Sequence, residues 1–350
     1  MKYRKLGRTK LETSIIGMGG GAFAGKEKTS ELAYNVIKTS VEKGINLLET
    51  AEDYGEEKLS SAVKEMRNTI ILVSKSFSST KDEMEKSIEK SLKKLHTDSI
   101  DIYMMHTVDS IDSLNFRIKN GVLEALKEAR KDGKINWIGI TTHNISTAIE
   151  AIKTNEFDVI EVPYCIGAYE TEKVFEYTKK YNIGVIAMRP LGGGILVDRS
   201  KNNKIMNMKN ALEYVLSNKN ISCALVGMSS VEHVKENTMI VDSLQFSKIK
   251  RNKIEKEVER LLGKNFCRGC LACMPLEKYG WSFPIDQFMR METYYSIYKD
   301  KNVIYEIGKF RELLQDFIRD KKIHKKINCP YKVPVVEKIK KLYNLIEGKL

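Results

Sequence analysis

INLLETA (45–51), IILVSKS (70–76) and SIDIYMMH (99–106) decide the fold of this 350-residue chain. Each is a short apolar run that ends in a polar side chain, and a longer segment with helical spacing follows. Working outward, the same unit appears earlier in SIIGMGGG (14–21). It recurs later in WIGITT (137–142), VIEVPY (159–164), GVIAMRP (184–190) and CALVGM (223–228). Between the runs lie SELAYNVIKTSVEKG, with apolar residues three and four apart, and KDEMEKSIEKSLKKL. Gly44 and Gly133 close helical segments, where a left-handed cap favours glycine. Eight such strands alternating with helices over about 230 residues predict an α/β TIM (β/α)8 barrel. A doubly wound open sheet shares the alternation, but GMGGG lacks the G-x-G-x-x-G spacing that would open one. YRKLGRTKLETS reads as a small hairpin before the first barrel strand.

The character changes after residue 250. A basic helix, KIKRNKIEKEVERLLGK, leads into a cysteine cluster and then into lysine- and aromatic-rich helices. The reading is a barrel over residues 1–255 and a C-terminal domain over 256–350. No apolar run approaches membrane-spanning length, and MKYRKLGRTK is no signal peptide. A cytoplasmic protein with no membrane partner is the expectation. The net charge is +13, and residues 301–350 hold 13 Lys and Arg against 6 Asp and Glu. With no zinc-finger spacing and no aromatic-interleaved basic motif, this tail reads as solvated helix rather than a nucleic-acid surface.

In such a barrel, chemistry sits at the C-terminal strand ends and the loops after them. Glu49, Tyr54, Lys75 and His106 all fall there. A tyrosine normally keeps its proton until pH ~10. A neighbouring lysine cation stabilises the phenolate, and a carboxylate keeps the lysine charged and oriented. A histidine can hydrogen-bond a substrate oxygen. The set suits protonation of a carbonyl oxygen while a hydride reaches its carbon.

At this point the chain resembles the aldo-keto reductases. MKYRKLGRT, ETAEDYG (49–55), the lysine of VSK, DSIDIYMMH (98–106), GKINWIGITTHN (133–144) and VGMSSVEHVKEN (226–237) carry the resemblance. It implies an NADP(H)- or NAD(H)-dependent oxidoreductase acting on a small-molecule carbonyl. Tyr54 would be the general acid, Lys75 its tuner, Glu49 the partner of Lys75 and His106 the substrate orienter. The nucleotide contacts implied are Gly20, Gly21, Thr141, Thr142, Glu161, Met188, Arg189 and Leu191 toward the nicotinamide. Gly227, Met228, Ser229, His233, Glu236 and Asn237 are implied toward the adenosine. Several positions depart from the family: Glu49 stands for an aspartate, Glu161 for a neutral amide, Met188 for a stacking tyrosine and His233 for an arginine. Preference between the two nucleotides stays open, with a flavin as a further candidate. His143 is a candidate substrate contact. The rival reading is a non-catalytic, nucleotide-binding redox sensor with an altered tetrad.

Six cysteines are present. Cys165 ends a strand and Cys223 begins one, as small core or mouth residues. FCRGCLACMP places Cys267, Cys270 and Cys273 at C-x2-C-x2-C spacing, and INCPYKVP supplies Cys329 followed by proline. Ferredoxin clusters draw three ligands from one motif and a Cys-Pro from another, so these four predict a single [4Fe–4S] cluster. Zinc is the alternative. The pattern, with FPIDQFMR (283–290), resembles an iron–sulfur subgroup of the same family with a ferredoxin-like tail. That would make an electron-transfer protein a partner.

Overall fold

The computed structural model describes residues 1–25, 27–198, 203–273 and 283–348. The run MPLEKYG after Cys273 lies outside these described residues. The chain forms two compact units. The first comprises Met1–Pro163, Thr171–Met188 and Val215–Gln245. The second comprises Tyr164–Glu170, Arg189–Tyr214 and Phe246–Leu350, so it includes two segments that follow strand signals.

The first unit opens with an antiparallel hairpin of β1 (Tyr3–Lys5) and β2 (Glu12–Ser14). Eight parallel strands follow: β3 (Ile16–Gly19), β4 (Leu47–Glu49), β5 (Ile71–Ser76), β6 (Ile100–Met105), β7 (Ile135–Thr141), β8 (Val159–Pro163), β9 (Gly184–Met188) and β10 (Cys223–Val226). They close in the order β10-β3-β4-β5-β6-β7-β8-β9. Pairing of Ala224 with Ile16 and of Val226 with Met18 seals the ring, which excludes the open sheet. The intervening helices begin where the sequence offers a cap. Thr29, Thr80, Ser110, Asn144 and Ser230 each accept a hydrogen bond from the backbone N–H three residues on. Gly44 and Gly133 adopt positive φ just beyond helix ends, as their spacing predicts.

Alternate strand residues point into the barrel. Leu47, Ile71, Val73, Ile102, Met104, Val159, Ile186, Cys223 and Leu225 fill it, with Leu6 of the hairpin joining them. Gly17 leaves room for this packing: a Cβ there would lie 2.8 Å from Leu47 Cδ2 and 2.9 Å from Cys223 Sγ. Cys223 is thus a core residue.

Among its described residues, the second unit is helical. Its helices include Lys248–Leu262, Ile285–Ser296, Val303–Gly308, Arg311–Arg319 and Val335–Ile346. Phe283 stacks on Phe317 with centroids 4.5 Å apart and meets Phe288 edge-on at 5.1 Å. The buried Glu292 accepts from Lys338, with Lys341 3.6 Å away, so part of the tail's positive charge is matched internally. No described helix is long and apolar enough to cross a membrane.

Asp158 ties the barrel's lower end together. Its carboxylate accepts from Arg8 Nε at 2.8 Å, Arg130 Nη1 at 3.3 Å and the Ile138 N–H at 3.1 Å. Asp158→Ala strands those donors and should lower stability by about 2–3 kcal/mol in urea unfolding followed by circular dichroism. A loss below about 0.5 kcal/mol, the size of an ordinary surface change, would contradict this role.

Candidate active site

The inward alternation that builds the core continues one step further and turns polar. Two residues beyond Leu47, Val73 and Val159 come Glu49, Lys75 and Glu161, and His106 follows Met104 in the same way. All four are buried. Strand-end position in the sequence pointed to Glu49, Lys75 and His106, the family resemblance added Glu161, and the closed barrel brings them together.

Lys75 Nζ is in direct contact with Glu49 Oε1 and donates to the Thr50 carbonyl at 3.0 Å. Glu49 Oε2 accepts the Gly20 N–H at 3.2 Å. The longer glutamate therefore still reaches the lysine, and its second oxygen is satisfied by the β3 loop. Gly20 permits that approach, because a Cβ there would meet the Glu49 carbonyl oxygen at 2.4 Å. A Cβ on Gly21 would lie 3.7 Å from the Tyr54 ring. Lys75 Nζ sits 4.9 Å from the centroid of that ring, close enough for a cation–π attraction.

Tyr54 also faces His106, edge-on at 6.0 Å between centroids. Phe77 stacks on the other side of His106 at 4.1 Å. Burial pushes the His106 pKa well below its ordinary value, and Lys75, His143 and Arg117 add positive charge that lowers it further. The imidazole is therefore neutral, with one donor and one acceptor nitrogen. Its Nδ1 is buried without a hydrogen-bond partner. Burial pushes Lys75 down to about 8, against the opposing charge of Glu161. The contact with Glu49 is a further pull toward the ammonium form.

Thr141 Oγ1 accepts the Thr107 N–H at 2.7 Å. Thr142 Oγ1 accepts from the Asn144 N–H at 3.1 Å and donates to Asp109 Oδ1 at 3.3 Å. Asp109 also takes the His143 N–H at 2.7 Å and pairs with His143 Nδ1 at 2.9 Å. Burial alone would raise Asp109, but His143 overrides it and leaves the carboxyl below its usual range. Glu161 Oε2 is buried with no hydrogen-bond partner.

Asp109, Phe77 and Arg117, which donates to the His106 carbonyl at 2.8 Å, were not singled out from sequence. Phe77 and Asp109 lie one to three residues past strand-end positions, and that was the available signal. Glu52 is a fourth such residue: it accepts the Phe77 N–H at 2.9 Å from the loop that carries Tyr54.

At the far end of the expected nucleotide set, Met188 ends β9, and Gly227 and Met228 follow β10. Ser230 caps the helix Val231–Asp242, Ser229 Oγ lies 3.4 Å from His233 Nδ1, and His233 and Glu236 are exposed. Asn237 is buried, and its Nδ2 has no hydrogen-bond partner. Arg189 and Leu191 belong to the second unit. There Arg189 donates to the Gly269 carbonyl at 2.7 Å and pairs with Asp286 at 3.0 Å.

The second unit also holds the four spaced cysteines, all half-buried. Cys267 Sγ accepts the Gly269 N–H at 3.3 Å. Burial and neighbouring thiolates push Cys267 up to about 12 and Cys270 up to about 11. Cys273 rises with burial and with the charges of Cys267, Cys270 and Cys329. The buried Arg268 braces this region: it donates to the Gly167 carbonyl at 3.2 Å, and its guanidinium lies 4.7 Å from the Tyr331 ring centroid, two residues past Cys329. Its own carbonyl accepts the Cys165 thiol at 3.4 Å. Among the described residues, no group of three or more His, Cys, Asp or Glu side chains is arranged to hold a metal ion.

Comparison with known proteins agrees with the barrel. A profile described as the Aldo/keto reductase family matches residues 15–211. L-galactose dehydrogenase of Arabidopsis thaliana is 28% identical over 292 residues, covering 70% of this chain and 89% of that protein. An uncharacterized oxidoreductase of Bacillus subtilis, YqkF, is 24% identical over 307 residues, covering 75% and 95%. The holo form of the aldo-keto reductase AKR11C1 from Bacillus halodurans superposes with a TM-score of 0.64 at 24% identity, covering 73% and 96%, a likeness of fold. The fold and strand-end site define a barrel oxidoreductase. This chain belongs to the aldo/keto reductase family.

If Lys75 acts as the ammonium and Glu49 keeps it charged, Glu49→Gln should move the alkaline limb of the oxidoreductase pH–rate profile to lower pH. The sign follows because losing a neighbouring carboxylate lowers the pKa of a lysine. Coincident limbs in variant and wild type would contradict the pairing.

Proposed function

We propose that the protein reduces the carbonyl of a small molecule with NAD(P)H, or oxidises the corresponding alcohol. The observation that carries this is Lys75, in contact with Glu49 and placed over the ring of Tyr54, beside a neutral His106. Tyr54 holds the proton for the carbonyl oxygen. Lys75 stabilises the phenolate left behind, and Glu49 fixes the lysine's position. His106 cannot act as a cation here. It offers a neutral hydrogen bond that orients the oxygen toward Tyr54.

The nucleotide, when bound, supplies the hydride. Two polar atoms that are buried and unpartnered among the described residues fit such a ligand, Glu161 Oε2 at the strand ends and Asn237 Nδ2 on the helix Val231–Asp242. Thr141, Glu161 and Met188 would hold the nicotinamide end, with Thr142 bracing that loop. Gly227, Met228, Ser229, His233, Glu236 and Asn237 would hold the adenosine end. Tyr54→Phe removes the proton and should lower kcat/KM for carbonyl reduction by about 10²–10⁴ with NAD(P)H affinity little changed. Full activity in that variant, on a substrate the wild type reduces, would overturn the assignment.

Cys267, Cys270, Cys273 and Cys329 would hold one [4Fe–4S] cluster. The support is four thiols in one electrostatic neighbourhood, since Cys329 acts on the charge of Cys267, Cys270 and Cys273, and a metal site takes such sulfurs as thiolates. The Gly269 N–H aimed at Cys267 Sγ would also stabilise a cluster thiolate. An electron-transfer protein is the partner such a cluster would serve. Anaerobically purified protein should carry about four iron and four sulfide per chain, falling sharply in Cys329→Ala. Stoichiometric zinc without iron would overturn the cluster.

A further inference from the structure

We infer that the Glu161 carboxylate biases the nucleotide site toward the oxidised, cationic form of the nicotinamide. This rests on the proposed nucleotide reading and deepens it.

Glu161 pairs with Thr141 of β7 and Ile186 of β9, one inward step above Val159 of the core. It is 3% exposed, and among the described residues its Oε2 has no hydrogen-bond partner. Its charge is felt by Lys75 on one side and by Cys223 below. Lys75, however, is already committed to Glu49 and the Thr50 carbonyl. The layer thus contains two carboxylates and one ammonium, while His106 is neutral and adds no positive charge. Two negative charges therefore share one ammonium in a buried, weakly screened place. Buried charge that is incompletely matched is costly, so the layer favours a further cation.

The two forms of the nucleotide differ in this respect. The dihydronicotinamide ring is neutral and the oxidised ring carries one positive charge. In the proposed reduction, Tyr54 gives its proton to the carbonyl oxygen as the carbonyl carbon takes a hydride, two electrons with one proton, from the nicotinamide. The alcohol leaves neutral, and the ring is left with the positive charge. A carboxylate beside it attracts that charge as it develops, whereas a neutral amide side chain would not. An ionised carboxylate can also accept a carboxamide N–H, which keeps the clamp role. The site should therefore make the bound reduced nucleotide a stronger hydride donor and hold the oxidised product tightly.

The test is titration of the full chain with NADP⁺ and NADPH, and with NAD⁺ and NADH, for wild type, Glu161→Gln and Glu161→Asp. The wild type should bind the oxidised form at least as tightly as the reduced. Glu161→Gln should weaken the oxidised form by about tenfold or more and change the reduced form by less than about threefold. Glu161→Asp, which keeps the charge, should retain the wild-type ratio to within about threefold. An equal loss for both forms in Glu161→Gln, or a wild type that binds the reduced form about tenfold tighter, would overturn the inference while leaving nucleotide binding intact. A wild type that binds none of the four would overturn the nucleotide reading as well.

Discussion

A lysine ammonium buried in a barrel lumen is the constraint on which the rest of this site depends. Taking such an ion out of water costs several kcal/mol unless geometry and hydrogen bonds compensate. Here the compensation is specific. Glu49 touches Lys75, the Thr50 carbonyl accepts from it, and the Gly20 N–H steadies the other Glu49 oxygen. Glu161 adds a second negative charge across the layer. Gly20, Glu49 with Thr50, and Lys75 come from the ends of three adjacent strands, β3, β4 and β5, while Glu161 belongs to β8 of the same closed ring.

The chemistry follows from that charge. The cation lies over the Tyr54 ring, where, on the proposed reading, it would stabilise the phenolate. Burial keeps His106 neutral and the same cation reinforces it, so the proposed orienting role is a hydrogen bond. Phe77 and Glu52 fix its plane from behind, by stacking and by the hydrogen bond to the Phe77 N–H. Glu49 in place of the usual aspartate does not break the set, because its extra methylene is taken up within the contact to Lys75. Glu161 changes more: a position where an amide would be electrically silent becomes a charge.

Much of the barrel was legible in the sequence because period-two alternation and glycine caps are local signals. The runs around Glu49, Lys75 and His106 announced the strands and marked a candidate site, since a barrel's strand ends are where function gathers. Asp109 and Phe77 were not legible. Their roles come from hydrogen bonding to His143 and stacking on His106, which no spacing along the chain encodes. The second unit's inclusion of Tyr164–Glu170 and Arg189–Tyr214 was equally hidden, because chain order suggests a boundary and packing does not respect it. Cysteine spacing, by contrast, marks four candidate donors, and among the described residues no group of three or more His, Cys, Asp or Glu side chains is arranged to hold a metal ion.

The most direct test of the charged layer is the stability of Lys75→Met against pH, measured by urea unfolding between about pH 5 and 8 alongside the wild type. Without the cation, Glu49 and Glu161 become buried like charges whose folded pKa values rise above those of the unfolded chain. Stability of the variant should then fall as pH rises through that window, widening its deficit relative to wild type. A deficit that stays constant with pH would show that Lys75 does not hold two carboxylates together, and would contradict the account.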